Sequence, residues 1–326
     1  MPTTTRQRHA RPAARRPRAL RQVATIAIAS LLLMIPASGA HASTLEVVAT
    51  TPALAAIAAE VGGDHVRVRA LASPSEDPHY VDARPNFISL LSRADVLLAH
   101  GLEYEVGWLP QLQVNSRNAR VQVGGEGFVE VSRFVRLLDV PDGPIDRSMG
   151  DLHPGGNPHF LNDPRAAAGI AEGIVEVLSR RAPEHAQAFA DNATRFAGEL
   201  RSFAREQRSR FSALPASQRQ VITYHKSMTY LLDWLDLELV ETVEVRPGIP
   251  PSPAHVSRVL QRMRTSGARV ILQEQFYPTN TSQRLAQLAG GEVVVIPGGP
   301  DHRGGEDYLS FLRRMTDALH DALDRS

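Results

Sequence analysis

Apolar positions along this chain follow two rhythms. Short β-rich runs, LEVVAT from Leu45, HVRVRAL from His65, DVLLAHG from Asp95 and RVQV from Arg120, are separated by helical stretches near residues 52–61, 84–93 and 103–114. The second half repeats the alternation with QVITYH from Gln220, LELVETV from Leu237, RVILQE from Arg269 and EVVVIPGG from Glu292. Helices are expected there near residues 227–235, 253–266, 279–289 and 306–323. Strand alternating with helix predicts an α/β fold in two lobes, each a mainly parallel sheet flanked by helices.

Between the two halves, Asp163-Pro164 opens a helix that should end near Arg181, and Pro183 is placed as the first-turn proline of another running to about Leu214. Phe189, Phe196, Leu200, Phe203 and Phe211 recur along it at helical spacing. A helix of ~30 residues spans ~45 Å, enough to join the lobes as a stiff connector. The expected division is residues 43–182 for the first lobe, 183–214 for the connecting helix and 215–326 for the second.

The first 42 residues follow another pattern. Seven arginines and no acid occupy residues 1–22, Val23 to Ile35 is an apolar run of 13, and Ala40-His41-Ala42 is a small-x-small cleavage site. This reads as a cleaved export signal, with the mature chain starting at Ser43. The run is short of the ~20 apolar residues of a transmembrane helix, and no cysteine follows it to take a lipid anchor, so the protein is expected to be periplasmic. Arg15-Arg16 leaves Sec and twin-arginine export both open.

Removing the signal changes the charge. The 36 basic residues fall to 29 against 35 acidic, so the net charge of +1 becomes −6. A mildly acidic surface has no broad attraction for nucleic acid or anionic lipid. With no cysteine, disulfides, thiolate metal sites and thiol nucleophiles are excluded, and a metal would have to be held by His, Asp, Glu or water.

In open α/β sheets, ligands bind at the carboxyl ends of strands. His79 follows the second strand through a loop, His225 ends QVITYH, Glu274 ends RVILQE, Asp301 lies just past EVVVIPGG, and His159 is on the loop leading into a helix. Asp77-Pro78-His79 and Asn157-Pro158-His159 place two of these histidines behind prolines, which stiffen the loops that carry them. Three histidines and one carboxylate suit tetrahedral Zn2+, whereas Mn2+ favours more oxygen. Glu274 is preferred to Asp301 as the carboxylate, because a strand end fixes it while Asp301 lies in the glycine-rich GGPDHRGG. His153 and His302 are candidate auxiliary ligands. His100 is a strand-end residue or a cleft neighbour, and His65, His185, His255 and His320 read as solvated or capping residues.

These phrases resemble those of the zinc- and manganese-specific solute-binding proteins of ABC importers. The family's D-P-H-x-[YF] phrase is matched by Asp77-Pro78-His79-Tyr80, its N-P-H phrase by Asn157-Pro158-His159 with Asp163-Pro164, and its Y-H-x-[AS]-[FM]-x-Y phrase by Tyr224 to Tyr230. AHGLEYEVGW with Trp108, Pro251-Ser252-Pro253 and the strand end at Glu274 match further family phrases, in the family's order over nearly the whole mature chain. Leu161 and Asn162 replace a usual Trp-Leu, the long His- and Asp-rich loop of many zinc-binding members is absent, and the carboxylate that many family members supply after the last strand falls on Gly298 or Gly299, with Asp301 a few residues later.

The resemblance implies a monomeric binding protein that captures Zn2+, or Mn2+ or iron, between its lobes and passes it to a membrane permease and its ATPase. Two other classes of function stand beside it. A secreted zinc hydrolase would need an open water position and a general base, and neither HExxH nor His-x-His is present. A surface adhesin would show no metal dependence.

Overall fold

Three helices of this protein begin where the sequence supplies a cap followed by a proline. Thr51 precedes Pro52 of α1 (Pro52–Gly62) and accepts the N–H of Leu54. Asp163 precedes Pro164 of α4 (Pro164–Arg181) and accepts from Arg165, and Ser252 precedes Pro253 of α7 (Pro253–Ser266) and accepts from His255. The proline costs no hydrogen bond at the first turn and the side-chain oxygen satisfies a donor left open there. The remaining α-helices are α2 (Pro85–Arg93), α3 (Leu109–Ser116), α5 (Ala186–Ser212), α6 (Thr229–Leu235), α8 (Asn280–Ala289) and α9 (Tyr308–Asp324). All this is seen in a computed structural model that describes residues 1–5, 44–143, 153–245 and 248–326. Nearly all of the expected export signal falls outside them.

Eight strands form two sheets of four, ordered β2-β1-β3-β4 and β6-β5-β7-β8. The first joins β1 (Leu45–Ala49), β2 (Val66–Ala70), β3 (Val96–Ala99) and β4 (Phe128–Glu130); the second joins β5 (Gln220–Thr223), β6 (Glu238–Thr242), β7 (Val270–Glu274) and β8 (Glu292–Ile296). Every pairing is parallel, as in Val47↔Val96 and Val221↔Val270. The α/β expectation holds, with one strand moved. RVQV does not pair: residues Ala119–Val121 form a 3-10 turn capped by Asn118, and the fourth strand lies at Phe128–Glu130. The first strand of each sheet is interior and β2 is an edge, which is why Arg67 and Arg69 can alternate outward.

In both sheets the chain runs from the first strand outward to the second, then crosses back to the third on the other side. The carboxyl ends of β1 and β3, and of β5 and β7, therefore flank a topological switch point, where crossovers leave in opposite directions and a crevice opens.

α5 holds 27 residues, about 40 Å at 1.5 Å per residue; Pro183–His185, expected in the same helix, form a 3-10 turn before it. It packs on α4 and α1 beside the first sheet and on α6 and α9 beside the second. Phe189, Phe196, Leu200, Phe203 and Phe211 are buried along it, in one hydrophobic cluster that includes Val47 and Leu98 of the first sheet and Val270 and Leu272 of the second. The lobes thus share a core on this side, and smaller clusters fill the far face of each sheet.

Candidate metal centre

The two proline-histidine phrases fold into the same device. Asp77 Oδ1 accepts the backbone N–H of His79 at 3.0 Å and its ring Nδ1–H at 2.8 Å. Asn157 Oδ1 does the same for His159, at 3.0 Å and 2.8 Å. A short side chain two residues upstream, across a proline, holds both the backbone and the ring. His225, which follows β5, is held by its partner strand instead: its Nδ1–H donates to Glu244 Oε2 at 2.8 Å, and Glu244 Oε1 accepts the N–H of Gly248 at 3.0 Å. In all three rings Nδ1 is committed as the donor, which leaves the lone pair on Nε2.

Those lone pairs converge. One ligating atom from each of His79, His159 and His225 lies within 4.8 Å of the other two, and this is the one such group of three among the described residues. Tyr104 covers it, its ring centred 4.6 Å from His79 and 5.1 Å from His159. Trp108 Nε1–H donates to the carbonyl of Pro78 at 2.8 Å and fixes the first loop from behind. Tyr230 Oη–H donates to the carbonyl of Asn157 at 2.9 Å, and Asn157 Nδ2–H donates to the carbonyl of Lys226 at 2.9 Å. These last two bonds fasten the His159 loop to the segment that carries His225.

Charge and burial agree with this arrangement. Burial, followed by the neighbouring histidines, pushes the His159 imidazole well below its ordinary range, so it stays neutral and able to ligate. Burial pushes the Asp77 carboxyl up, but its bond to His79 and the charge of that ring outweigh this and hold it below the usual range.

Glu274 ends β7 beside the switch point. It is 5 % exposed, and its Oε2 has no hydrogen-bond partner among the described residues. Burial drives its carboxyl up to about 7, with Ser227 and His225 pulling the other way. It stands outside the close group of three histidines and lines a cavity of about 40 Å3 with His159, Tyr104, Gly298 and Gly299. The wall at the level of the last strand is thus made of glycine. Asp301 is exposed and turned to its own loop, accepting the N–H of Gly304 at 3.0 Å. His302 follows it in the same 3-10 turn. His153 is brought to the centre, with Nε2 3.3 Å from that of His79.

His100 is a wall residue: Nδ1–H donates to the carbonyl of Pro158 at 3.1 Å and Nε2 meets Thr51 Oγ1 at 3.0 Å. His255 is buried rather than solvated, bonding the carbonyl of Thr242 through Nε2 at 2.8 Å and Arg258 through Nδ1 at 2.9 Å. His65 and His185 stack on each other, ring centres 3.7 Å apart. The supporting residues Asp77, Asn157 and Glu244 were not assigned roles from sequence. The first two could have been found as acceptors two residues before a histidine; Glu244 reaches His225 through strand pairing, which no local pattern reveals.

Two parallel α/β lobes sharing a core along one long helix, with imidazoles from both converging between them, define a two-lobed binding protein for a metal ion. Known proteins give the class a family. The chain belongs to the family of the zinc-uptake complex component A, periplasmic, whose model matches residues 47–322, and so to the metal-binding substrate-binding proteins of ABC transporters. It is 25 % identical over 286 residues to a putative metal-binding protein of Treponema pallidum, covering 87 % of each chain. It is 22 % identical over 285 residues to the manganese-binding lipoprotein MntA of Halalkalibacterium halodurans, covering 86 % of this chain and 89 % of that one. The iron-binding protein YfeA of Yersinia pestis is 22 % identical over 282 residues, covering 85 % and 86 %. A crystal structure of ZnuA superposes with a TM-score of 0.73 at 21 % identity, over 86 % of this chain and all (100 %) of that one, and so shares the fold. No helix among the described residues is long and apolar enough to cross a membrane.

Proposed function

We propose that this protein captures Zn2+ between its lobes through His79, His159, His225 and Glu274 and hands it to an ABC permease driven by its ATPase. The observation that carries this reading is the set of three imidazoles, each fixed through Nδ1 by a separate acceptor, that bring one ligating atom apiece within 4.8 Å of one another. Imidazole is a borderline ligand, and three of them favour Zn2+ over Mn2+, which takes more oxygen. Glu274 adds the compensating charge from the buried side. It is a carboxyl kept near half-protonation by burial, and a cation beside it lowers its pKa and turns its unpartnered oxygen into a ligand. The ion is cargo and no reaction is performed on it.

The export reading belongs to the same proposal: cleavage after Ala42, a mature chain from Ser43 and a freely diffusing periplasmic monomer, with residues 43–182 and 215–326 as lobes about the connecting segment 183–214. Relatives named for manganese and for iron make metal identity the point to test. Elemental analysis of mature protein purified without added metal, followed by competition titration, should give one zinc per chain held more tightly than manganese or iron. A preference for manganese would overturn the choice of ion, and no bound metal would overturn the function.

A further inference from the structure

The two loops that bring first-lobe histidines to the cleft are fastened to the second lobe in different ways. Around His159 the ties are buried: Tyr230 Oη–H donates to the carbonyl of Asn157 at 2.9 Å, Tyr308 Oη–H to that of Leu161 at 2.8 Å and Trp234 Nε1–H to that of Asn162 at 2.8 Å. All three donor rings are buried. Parting the lobes along this edge would leave buried donors and acceptors without partners, which is costly.

The His79 loop, between β2 and α2, is tied to the second lobe through a more open contact. Gln275 Nε2–H and the backbone N–H of Gly298 both donate to one oxygen, the carbonyl of Pro74, at 2.8 and 3.0 Å. A carbonyl has two lone pairs, and here each takes a donor. Gln275 follows Glu274 at the end of β7, where its backbone N–H donates to the carbonyl of Ile296 at 2.8 Å, so its side chain starts from a fixed point. Gly298 must be glycine for the approach: a Cβ would stand 2.9 Å from the Pro74 oxygen and 2.6 Å from Phe276 Cε1. Farther along the same edge Arg303 donates to the carbonyl of Ala70 at 3.4 Å. Gln275 is exposed and Pro74 half-buried. Water can therefore take over their bond, and a tie that water can replace is one that opens.

We propose that Gln275 is a positioning residue for the ion: through the carbonyl of Pro74 it holds the His79 loop against the second lobe and so sets how long Zn2+ stays bound. This rests on the site assignment made above, because the loop acts on the ion through His79. With the tie already formed in the metal-free protein, His79 is in place when the ion arrives, and less ordering is charged to binding. Without it the edge opens more often, and the bond to His79 breaks while His159 and His225 stay together along the buried edge. Arg303 still bridges the lobes, so loss of Gln275 loosens the edge without freeing it.

Release of Zn2+ from the loaded mature protein into excess chelator, stopped-flow association, and hydrogen exchange at the Gly298 amide of the metal-free protein test this. In Gln275→Ala release should be about three- to tenfold faster, the size of effect that one net hydrogen bond gives, with association within about twofold. The Gly298 amide, which shares the acceptor, should exchange faster without any metal present. Gln275→Glu separates the lost donor from charge: a negative charge beside the cleft alone slows the departure of a cation, so faster release there reports the donor. Gln275→Lys keeps a donor and should release more slowly than Gln275→Ala although its charge works the other way. Unchanged release and unchanged Gly298 exchange in Gln275→Ala, or slower release in Gln275→Glu, overturn the proposal. Failure of the site assignment would show separately: the unaltered protein would hold no Zn2+, or His79→Ala would release it at the unaltered rate, while the Gly298 amide still responded to Gln275.

Discussion

Two pairs of like residues, one built into the surrounding wall and one open to the cleft, are put to opposite uses. His100 and Glu105 belong to the wall, His159 and Glu274 to the cleft. His100 has both ring nitrogens engaged, and Glu105 accepts from Thr50 Oγ1 at 2.6 Å and from the N–H groups of His100 and Gly101 at 2.8 and 3.3 Å. His159 has only Nδ1 held by Asn157, and Glu274 keeps one oxygen without a partner. Both glutamates are driven up to about 7, each by burial first. Residue type is therefore the same in wall and cleft, and for the glutamates so is burial. What separates a structural group from a ligand is whether the protein has already used its last lone pair. A buried polar atom left open is costly unless something outside the chain completes it.

The largest expected effect tests that distinction directly. His79→Ala, His159→Ala and His225→Ala should each weaken Zn2+ binding by more than tenfold in a competition titration, because each removes a bond to the ion. His255→Ala should leave the affinity within about threefold, since both nitrogens of that ring are engaged by Thr242 and Arg258; its cost should appear in stability, about 1–3 kcal/mol for the buried partners left open. An affinity loss at His255 equal to that at His159 would break the comparison.

Much of the cleft side was legible because it is written locally. Asp77-Pro78-His79 and Asn157-Pro158-His159 can be seen as one phrase used twice, and strand ends mark where His225 and Glu274 must lie. Helix α7 is bounded by Ser252-Pro253 and Gly267, and the expected range 253–266 is the observed one. The wall was less legible. His255 reads as a capping residue because its tertiary partner, Thr242, is 13 residues away at the end of β6. RVQV looks like a strand by composition, but Asn118 turns the chain there by bonding the carbonyls of Leu91 and Ala94. The expected helix 103–114 starts only at Leu109, because Leu102 and Glu103 sit in the left-handed region.

The acceptors behind the ligands come next in size. Asn157→Ala should weaken Zn2+ binding about tenfold, because it frees the Nδ1–H and the backbone N–H of His159 together. Asn157→Asp keeps the acceptor at the same place but loses the Nδ2–H bonds to the carbonyl of Lys226 and to Asp139, so it should recover part of the loss. If alanine and aspartate behaved alike, the Asx device would be incidental to binding. Affinity in the unaltered protein should also fall below about pH 6, where protons compete for imidazole.

Glu274→Gln should have a smaller effect on affinity, a few-fold, and an opposite one on the metal-free fold. A carboxyl raised to about 7 in the folded state from 4.5 favours folding below about pH 4.5, and that contribution is lost as pH rises through 7. At pH 8 the metal-free variant should therefore melt above the unaltered protein, by a margin worth at most about 3 kcal/mol for a shift of this size. At pH 4.5 the gap should close. A variant that melts lower at pH 8 would mean that the charged carboxylate is satisfied in the empty cleft, contrary to its unpartnered oxygen.

The smallest expected effect is at Asp301, the other carboxylate that the sequence offers to the metal. Its Oδ1 is spent on the N–H of Gly304 at 3.0 Å, its backbone N–H donates to Glu306 Oε2 at 2.8 Å, and its side chain is exposed. The wall facing the cavity at that level is Pro297, Gly298 and Gly299. For Asp301 to reach the ion, the 3-10 turn at His302–Gly304 would have to give up its cap. Asp301→Ala should therefore leave Zn2+ affinity within about twofold and cost only the cap, about 0.5–1 kcal/mol in a thermal melt. A tenfold loss of affinity would transfer the fourth position from Glu274 to Asp301, and would show that an engaged carboxylate on a surface turn can be drawn in where a buried, open one was waiting.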